Sequence, residues 1–434
     1  MTGKRYLGNI ITKNPTDPTG NSGANYGVAT GVWSLAEAKT FSAAGKWPIP
    51  ASVPSAPTIG TASAGNATAT VPFTANSNGG LDVTSFIATS NPDSITGSAS
   101  SSPVTVTGLT NGTAYTFTVT ATNAVGTSAA SSASNSVTPV SPSRSLFAGG
   151  IVSSNLNTIE YVTTASTGNG TDFGDLTQSK SSSGAVASST RGVFGGGYTG
   201  ARTNVIEYVT IQSTGNGTDF GDLTQSRDAM GQASSGTRGV FAGGHTGSAY
   251  TNIIDYITIG STGNATDFGD LYDARDPTGS GASTTRGLFA GGGLTYSPYA
   301  STRIDYITIS STGNSSNFGN LSQANNQLTG ASNDTRAFFA GGNESGSVTD
   351  TISYVTIAST GNASDFGNLV EDRRLAAACA STTRGLIGGG IGSGTGIDNK
   401  IQLITIASTG NATDFGDLTE NKYSPAATAT YGGV

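Results

Sequence analysis

The strongest constraint in this chain of 434 residues is a unit that recurs six times, with 47 to 50 residues from one copy to the next. Self-similarity at such a period decides the fold before any single motif does. Each copy carries an arginine followed by apolar residues and glycines: RSLFAGG from Arg144, RGVFGGG from Arg191, RGVFAGG from Arg238, RGLFAGG from Arg286, RAFFAGG from Arg336 and RGLIGGG from Arg384. A run of the type IEYVTI follows, starting at Ile159, Ile206, Ile254, Ile304, Ile352 and Ile401. Next come STGN and DFG(D/N)L, with Phe173, Phe220, Phe268, Phe318, Phe366 and Phe415.

Each copy reads as four short strands: a small apolar run (GAVAS, GQASS, GASTT), then R-G-V-F-A-G-G, I-x-Y-V-T-I and T-D-F-G-D-L. Val, Ile, Thr and Tyr suit a pleated surface. No helical period of 3.6 residues runs through the unit, which excludes helical repeats. Four strands in about 40–50 residues is the period of a propeller blade. The glycine pair ending the second strand resembles the kelch repeat, although the tryptophan of that family is absent and Phe takes a comparable place. The expected fold is therefore mainly β, with a six-bladed kelch-like propeller over residues 142–434. SVTPVSPS ahead of Arg144 supplies no small first strand, whereas YSPAATATYGGV after the sixth DFGDL resembles one. Residues 424–430 are expected to complete the first blade beside Phe147, leaving no open sheet edge.

Composition narrows the function. Twenty basic against 27 acidic residues give a net charge of −7, a poor match for nucleic acid, which needs clustered Lys and Arg. Cys379 and His245 are the sole cysteine and histidine, so an intrachain disulfide is impossible and common zinc sites and catalytic triads lack their parts. No metal or cofactor is expected. No stretch approaches the ~20 apolar residues of a membrane span. The opening MTGKRYLGNIITKNPTDP lacks the apolar core of a secretion signal, and a soluble protein with no membrane insertion is expected.

Residues 52–140 resemble a fibronectin type III domain, most specifically in VTVTGLTNGTAYTFTVTATNAVGTSAAS (104–131). Tyr115, Phe117, Val119 and Ala121 alternate with Thr, giving one buried face. Leu109 and Tyr115 fit that family's turn, in which a Tyr hydroxyl bonds back to the main chain. The family's early Trp is missing, and Phe73 is expected in its place. Such a sandwich implies a spacer or binding module.

Residues 1–50 differ. Ser34 is an N-cap with Glu37 at the capping-box position, predicting a helix over Leu35–Ala44. Trp33 and Trp47, the only tryptophans, flank it. Fifty residues bury two Trp poorly, which makes them a docking surface, either on the sandwich or on another protein. The segment GVWSLAEAKTFSAAGKWP and the repeat RGVFAGG…IEYVTIASTGNATDFGDLT are similar to structural proteins of tailed phages of marine and cyanobacterial hosts. The resemblance implies a virion component, a tail fibre or other appendage, assembled in the host cytoplasm. Its expected partners are other virion proteins, through residues 1–50, and a host-surface glycan or protein, met by many copies at once.

Among candidate sites, the repeated Arg144, Arg191, Arg238, Arg286, Arg336 and Arg384 read as structural, each expected to lock its blade by an ion pair with Asp of DFGD or the acid of IEY and IDY. All six STGN turns match the N-glycosylation sequon, at Asn169, Asn216, Asn264, Asn314, Asn362 and Asn411, yet read more simply as tight hairpins. The copies disagree in the loop between strands two and three and in the connection from strand four to the next copy, which share one blade face. Loops on a rigid scaffold are where recognition tends to sit. Tyr198, Arg202, His245, Tyr250, Tyr296, Tyr299, Asn343 and Glu344 are the expected ligand-binding face. Asp273, Asp276, Glu371 and Asp372 lie in the variable connections, but no spacing singles out the carboxylate pair that glycoside hydrolysis needs. The expected function is a non-enzymatic virion protein, the alternatives being a bacterial surface adhesin or a glycan-cleaving depolymerase.

Overall fold

The computed structural model describes residues 51–430, apart from Pro298 and Ser345, together with Lys39. Trp33, Trp47 and all but Lys39 of the predicted helix Leu35–Ala44 lie outside the described residues; Lys39 is helical and exposed. The chain divides into two compact units, Met1–Ser141 and Pro142–Val434. Apart from Lys39, the regular elements among the described residues of both are strands.

In the first unit, one three-stranded sheet pairs Ser63–Ala64, Thr68–Val71 and Val104–Thr107, and another pairs Thr96–Ala99, Ser85–Asn91 and Thr116–Thr122. The predicted alternation is met: Phe117, Val119 and Ala121 are buried and the threonines between them are not. Their core takes in Val71, Phe86, Val104, Val106 and Leu109. Phe73 is buried with its ring centroid 4.5 Å from that of Phe86. The Tyr115 hydroxyl accepts from the Thr110 N–H at 3.1 Å and donates to Asp93 Oδ2 at 2.9 Å.

The strand Thr116–Thr122 has an irregular neighbour. The N–H groups of Ser128, Ser131 and Ser134 donate to the carbonyls of Ala121, Val119 and Phe117. The hydroxyls of the same serines accept from the N–H groups of those residues, at 2.9–3.0 Å. Three residues of one chain thus match two of the other, and a serine hydroxyl stands in for each carbonyl that the mismatch carries away.

In the second unit, four strands per copy form antiparallel sheets. The second copy gives Gly184–Ala187, Arg191–Gly195, Val205–Thr210 and Thr218–Asp222 in spatial order. The third, fifth and sixth follow the same plan, and the fourth adds the hairpin Asn343–Glu344 and Ser347–Val348. The first copy supplies only Arg144–Ala148, Thr158–Thr163 and Thr171–Asp175; the strand expected near the carboxyl end, Ala426–Ala429, completes its sheet with Ala427 opposite Phe147.

Burial explains the sequence of each strand. The second strands read buried from their second residue to their last, and the small first strands are almost wholly buried. Both are covered on two faces, which is why they are continuous apolar or small runs and not alternating ones. Apolar clusters join successive sheets: Phe173, Ala185, Phe194 and Ile211 belong to one, and Phe220, Val193, Phe241 and Ile259 to the next. A cluster of Phe147, Cys379, Leu386, Phe415 and Ala427 joins the sixth sheet to the first. Burial pushes the Cys379 thiol up to about 12, so it packs as an inert apolar group.

The DFG segment is a β-bulge. Ile159 pairs with Gly174 and Glu160 with Asp172, so Phe173 is the extra residue, and the same slip recurs in the other sheets. The bulge turns the phenylalanine into the core. Gly174 stands at φ +145°, and a Cβ there would fall 2.5 Å from the carbonyl oxygen of Gly215 in the next sheet. This close approach is why glycine occupies that place.

Candidate functional site

The contacts between successive sheets account for most of the repeated residues, and they revise two expectations. The guanidinium groups of Arg144, Arg191, Arg238, Arg286 and Arg336 do not meet the acids of DFGD or IEY. Each lies over the Tyr of its own third strand, 4.3–5.0 Å from the ring centroid. Each also donates to a carbonyl of the following sheet: Arg144 to Ile211, Arg191 to Ile259, Arg238 to Ile309, Arg286 to Ile357 and Arg336 to Ile406. Arg384 reaches Thr164 of the first sheet at 3.1 Å. A planar, five-donor group can stack and bridge at once.

STGN is more than a hairpin. The Asn216 side chain accepts from the Asp175 N–H of the preceding sheet, and the N–H of Gly215 donates to Phe173. The same bonds recur at Asn264, Asn314, Asn362 and Asn411, and Asn169 accepts from Asp417. The uniformity of this face is therefore required by the packing of one sheet on the next.

The acids of the third strands pair instead with cations hidden in the connections. Glu207 meets Lys180 at 2.7 Å, Asp255 meets Arg227 at 2.9 Å, Asp305 meets Arg275 at 2.8 Å and Glu160 meets Lys422 at 2.5 Å, all of them buried. Burial lowers the pKa of Lys180 and Arg227, opposed by their carboxylate partners. In the fifth copy Ser353 replaces the acid, and the corresponding connection carries Asn325 in place of the cation. In the sixth, Gln402 replaces the acid and Arg373 turns to Asp398 at 3.4 Å. By sequence these connections read as variable loops; the signal of the pairing is the cation kept in QSK, QSR, DAR, EDR and ENK.

Where the first strands converge lies a cavity of about 70 Å³, with Ser182, Met230, Thr278, Gln327, Leu375 and Ser424 in its lining. Ala229 donates its N–H to Ser182, Ser182 to Ser424, Ser424 to Leu375 and Leu375 to Gln327. All five stand at φ between +51° and +58°. Pro277, which has no N–H, holds the corresponding place in the fourth copy.

Of the expected ligand-binding residues, four converge. Arg202 pairs with Asp228 at 3.2 Å, lies 5.1 Å from the Tyr198 ring and places Nη2 3.3 Å from His245 Nδ1. Because Nδ1 also accepts from the Gly247 N–H at 3.0 Å, the bonding assigns the ring proton to Nε2. His245 meets the Tyr250 ring edge-on at 5.1 Å. Asp276 accepts from the Gly293 N–H. Burial, opposed by that bond and reinforced by Asp228, pushes its pKa up to about 7. Burial also raises the pKa of Tyr250, with Asp276 and Asp228 adding to it.

Tyr296 and Tyr299 stand apart from this group, 53% and 65% exposed. The Tyr299 N–H donates to the Tyr296 carbonyl at 2.7 Å, and Tyr299 stands at φ +66°. Asn343 and Glu344 are held in the hairpin that extends the fourth sheet, opposite Asn326 and Asn325. Two residues not singled out in the sequence, Tyr272 and Arg303, join the tyrosines. Tyr272 is 70% exposed, with the Arg303 guanidinium 4.0 Å from its ring centroid, and Tyr296 Oη donates to Asp273 Oδ1 at 3.1 Å. Glu371 holds Lys400 at 2.6 Å, and Asp372 accepts from Ser393. Among the described residues no group of three or more His, Cys, Asp or Glu is arranged to hold a metal ion, and no helix is long and apolar enough to cross a membrane.

Residues 54–137 match the family model described as Fibronectin type III domain. With the two three-stranded sheets and the Tyr115 corner in place, that segment is a fibronectin type III domain. No match to the chain is found among curated proteins.

Proposed function

We propose that residues 142–434 form a six-bladed, kelch-like β-propeller, and that the chain is a non-enzymatic structural protein of a tailed-phage virion. In this reading residues 1–50 dock it to other virion proteins, and the propeller recognises the host surface. The ring is supported by Ala426–Ala429 completing the first sheet and by the cluster joining the sixth sheet to the first. The virion assignment rests on the resemblance of GVWSLAEAKTFSAAGKWP and of the repeat.

One observation carries the recognition role. At one end of the sheets the STGN turns are bound into their neighbours; at the other, the loops differ and expose Tyr272, Tyr296 and Tyr299. Exposed aromatics close together on a surface are a mark of interaction sites. The test has two parts. Chains lacking residues 1–50 should be missing from assembled particles, and normal incorporation ends the docking claim. Full-length protein should adhere to cells of the host that propagates the particle, and replacing Tyr296 and Tyr299 by Ala should cut adhesion at least several-fold.

A further inference from the structure

We infer that Tyr272, Asp273 and Tyr296 form a subsite for one pyranose ring of a neutral saccharide. This rests on the recognition reading above and names its ligand class.

The geometry is that of a platform with an acceptor beside it. Arg303 covers one face of the Tyr272 ring, and the side chain is still 70% exposed. Arg303 is itself held, its Nε against Asp305 Oδ1 at 2.5 Å. The platform is thus braced from behind, at little further cost in side-chain entropy on binding. Tyr296 fixes Asp273 through Oδ1. A carboxylate offers about four lone-pair sites, so most of its acceptor capacity remains for a ligand. A pyranose presents both complements on one small body: a face of C–H groups for the ring and hydroxyl donors for the carboxylate.

Size decides against a protein partner for this subsite. At about 200 Å² per aromatic side chain, the two rings expose on the order of 250 Å². A stable protein interface needs about 800 Å² on each partner. One sugar ring fits the smaller figure, with a Kd on the order of 1–10 mM for a ligand of so few atoms. Many copies would make such a contact effective.

The experiment is saturation-transfer NMR on the full-length protein with the methyl pyranosides of glucose, galactose and mannose, each at millimolar concentration. Transfer to the ring C–H protons of at least one is expected. It should vanish in Tyr272→Ala, persist in Tyr272→Phe and weaken several-fold in Tyr296→Phe, which keeps the ring and frees Asp273. Unchanged melting of the variants shows that the fold is intact. No transfer from the unaltered protein, or transfer that survives Tyr272→Ala, overturns the subsite. If cell adhesion still depends on Tyr296 and Tyr299 while no pyranoside binds, the recognition reading stands and the saccharide inference alone falls.

Discussion

Lys422 places its ammonium 2.5 Å from a carboxylate oxygen of Glu160, and both side chains are buried. The two come from opposite ends of the repeat array, so the pair ties the last connection to the first sheet. Removing one partner of a buried pair leaves a charge without compensation, at about 3–5 kcal/mol. Lys422→Met should lower the unfolding free energy of the repeat unit by that much in urea titration. Adding Glu160→Gln should recover most of the loss, because the stranded charge is gone.

Truncation after Tyr423 would remove Ala426–Ala429 and leave the main chain of Arg144–Ala148 unpaired along one edge. It would also uncover Phe147. Soluble aggregates should appear in size-exclusion chromatography, since an open apolar edge is a template for pairing. A truncated protein that elutes as a well-folded monomer would show that the strand is dispensable.

The fifth copy supplies a natural control. Ser353 and Asn325 stand where the first four copies place an acid and a cation. Asn325→Arg alone buries an unpaired charge and should destabilise by several kcal/mol. Ser353→Asp added to it should restore stability, with a coupling energy of about 1–3 kcal/mol in a double-mutant cycle. Additive effects would mean that the two positions do not meet.

Asp276 makes stability depend on pH. Its folded pKa of about 7 lies above the ordinary 3.8, so the folded chain holds this proton more tightly than the unfolded one. That contribution is complete below pH 3.8 and is lost as pH rises to about 7. Asp276→Asn, neutral throughout, should flatten the fall of melting temperature across this window and leave the variant the more stable above pH 7. An unchanged slope would place the titration elsewhere.

The strands and the bulk of both cores were legible because a repeated pattern averages over local ambiguity. Six runs of the I-x-Y-V-T-I type, the last with Leu403 in place of the Tyr, specify a strand, and Tyr115 with Leu109 marked the corner of the first unit. Partners were not legible. Arg144 could have met an acid or a ring, and only the fold shows that Tyr161 and the Ile211 carbonyl are nearer. Nothing in the sequence marks Ser128, Ser131 and Ser134 as partners of a strand, and only the fold pairs their hydroxyls with the strand beside them. In the site, Tyr296 and Tyr299 were found by their variability, whereas Tyr272 was passed over as part of a connection.

By itself the sequence determined the elements: where strands begin, which residues are apolar enough to be buried, and that a strand at the carboxyl end is needed to complete the first sheet. These follow from local spacing, because side-chain period and turn chemistry act over a few residues. The tertiary structure alone decided which charges are buried together and which aromatics stay in water. Lys180 and Glu207, or Tyr272 and Arg303, lie far apart in the chain. Their energies depend on desolvation and distance, and both of those exist only once the sheets have packed.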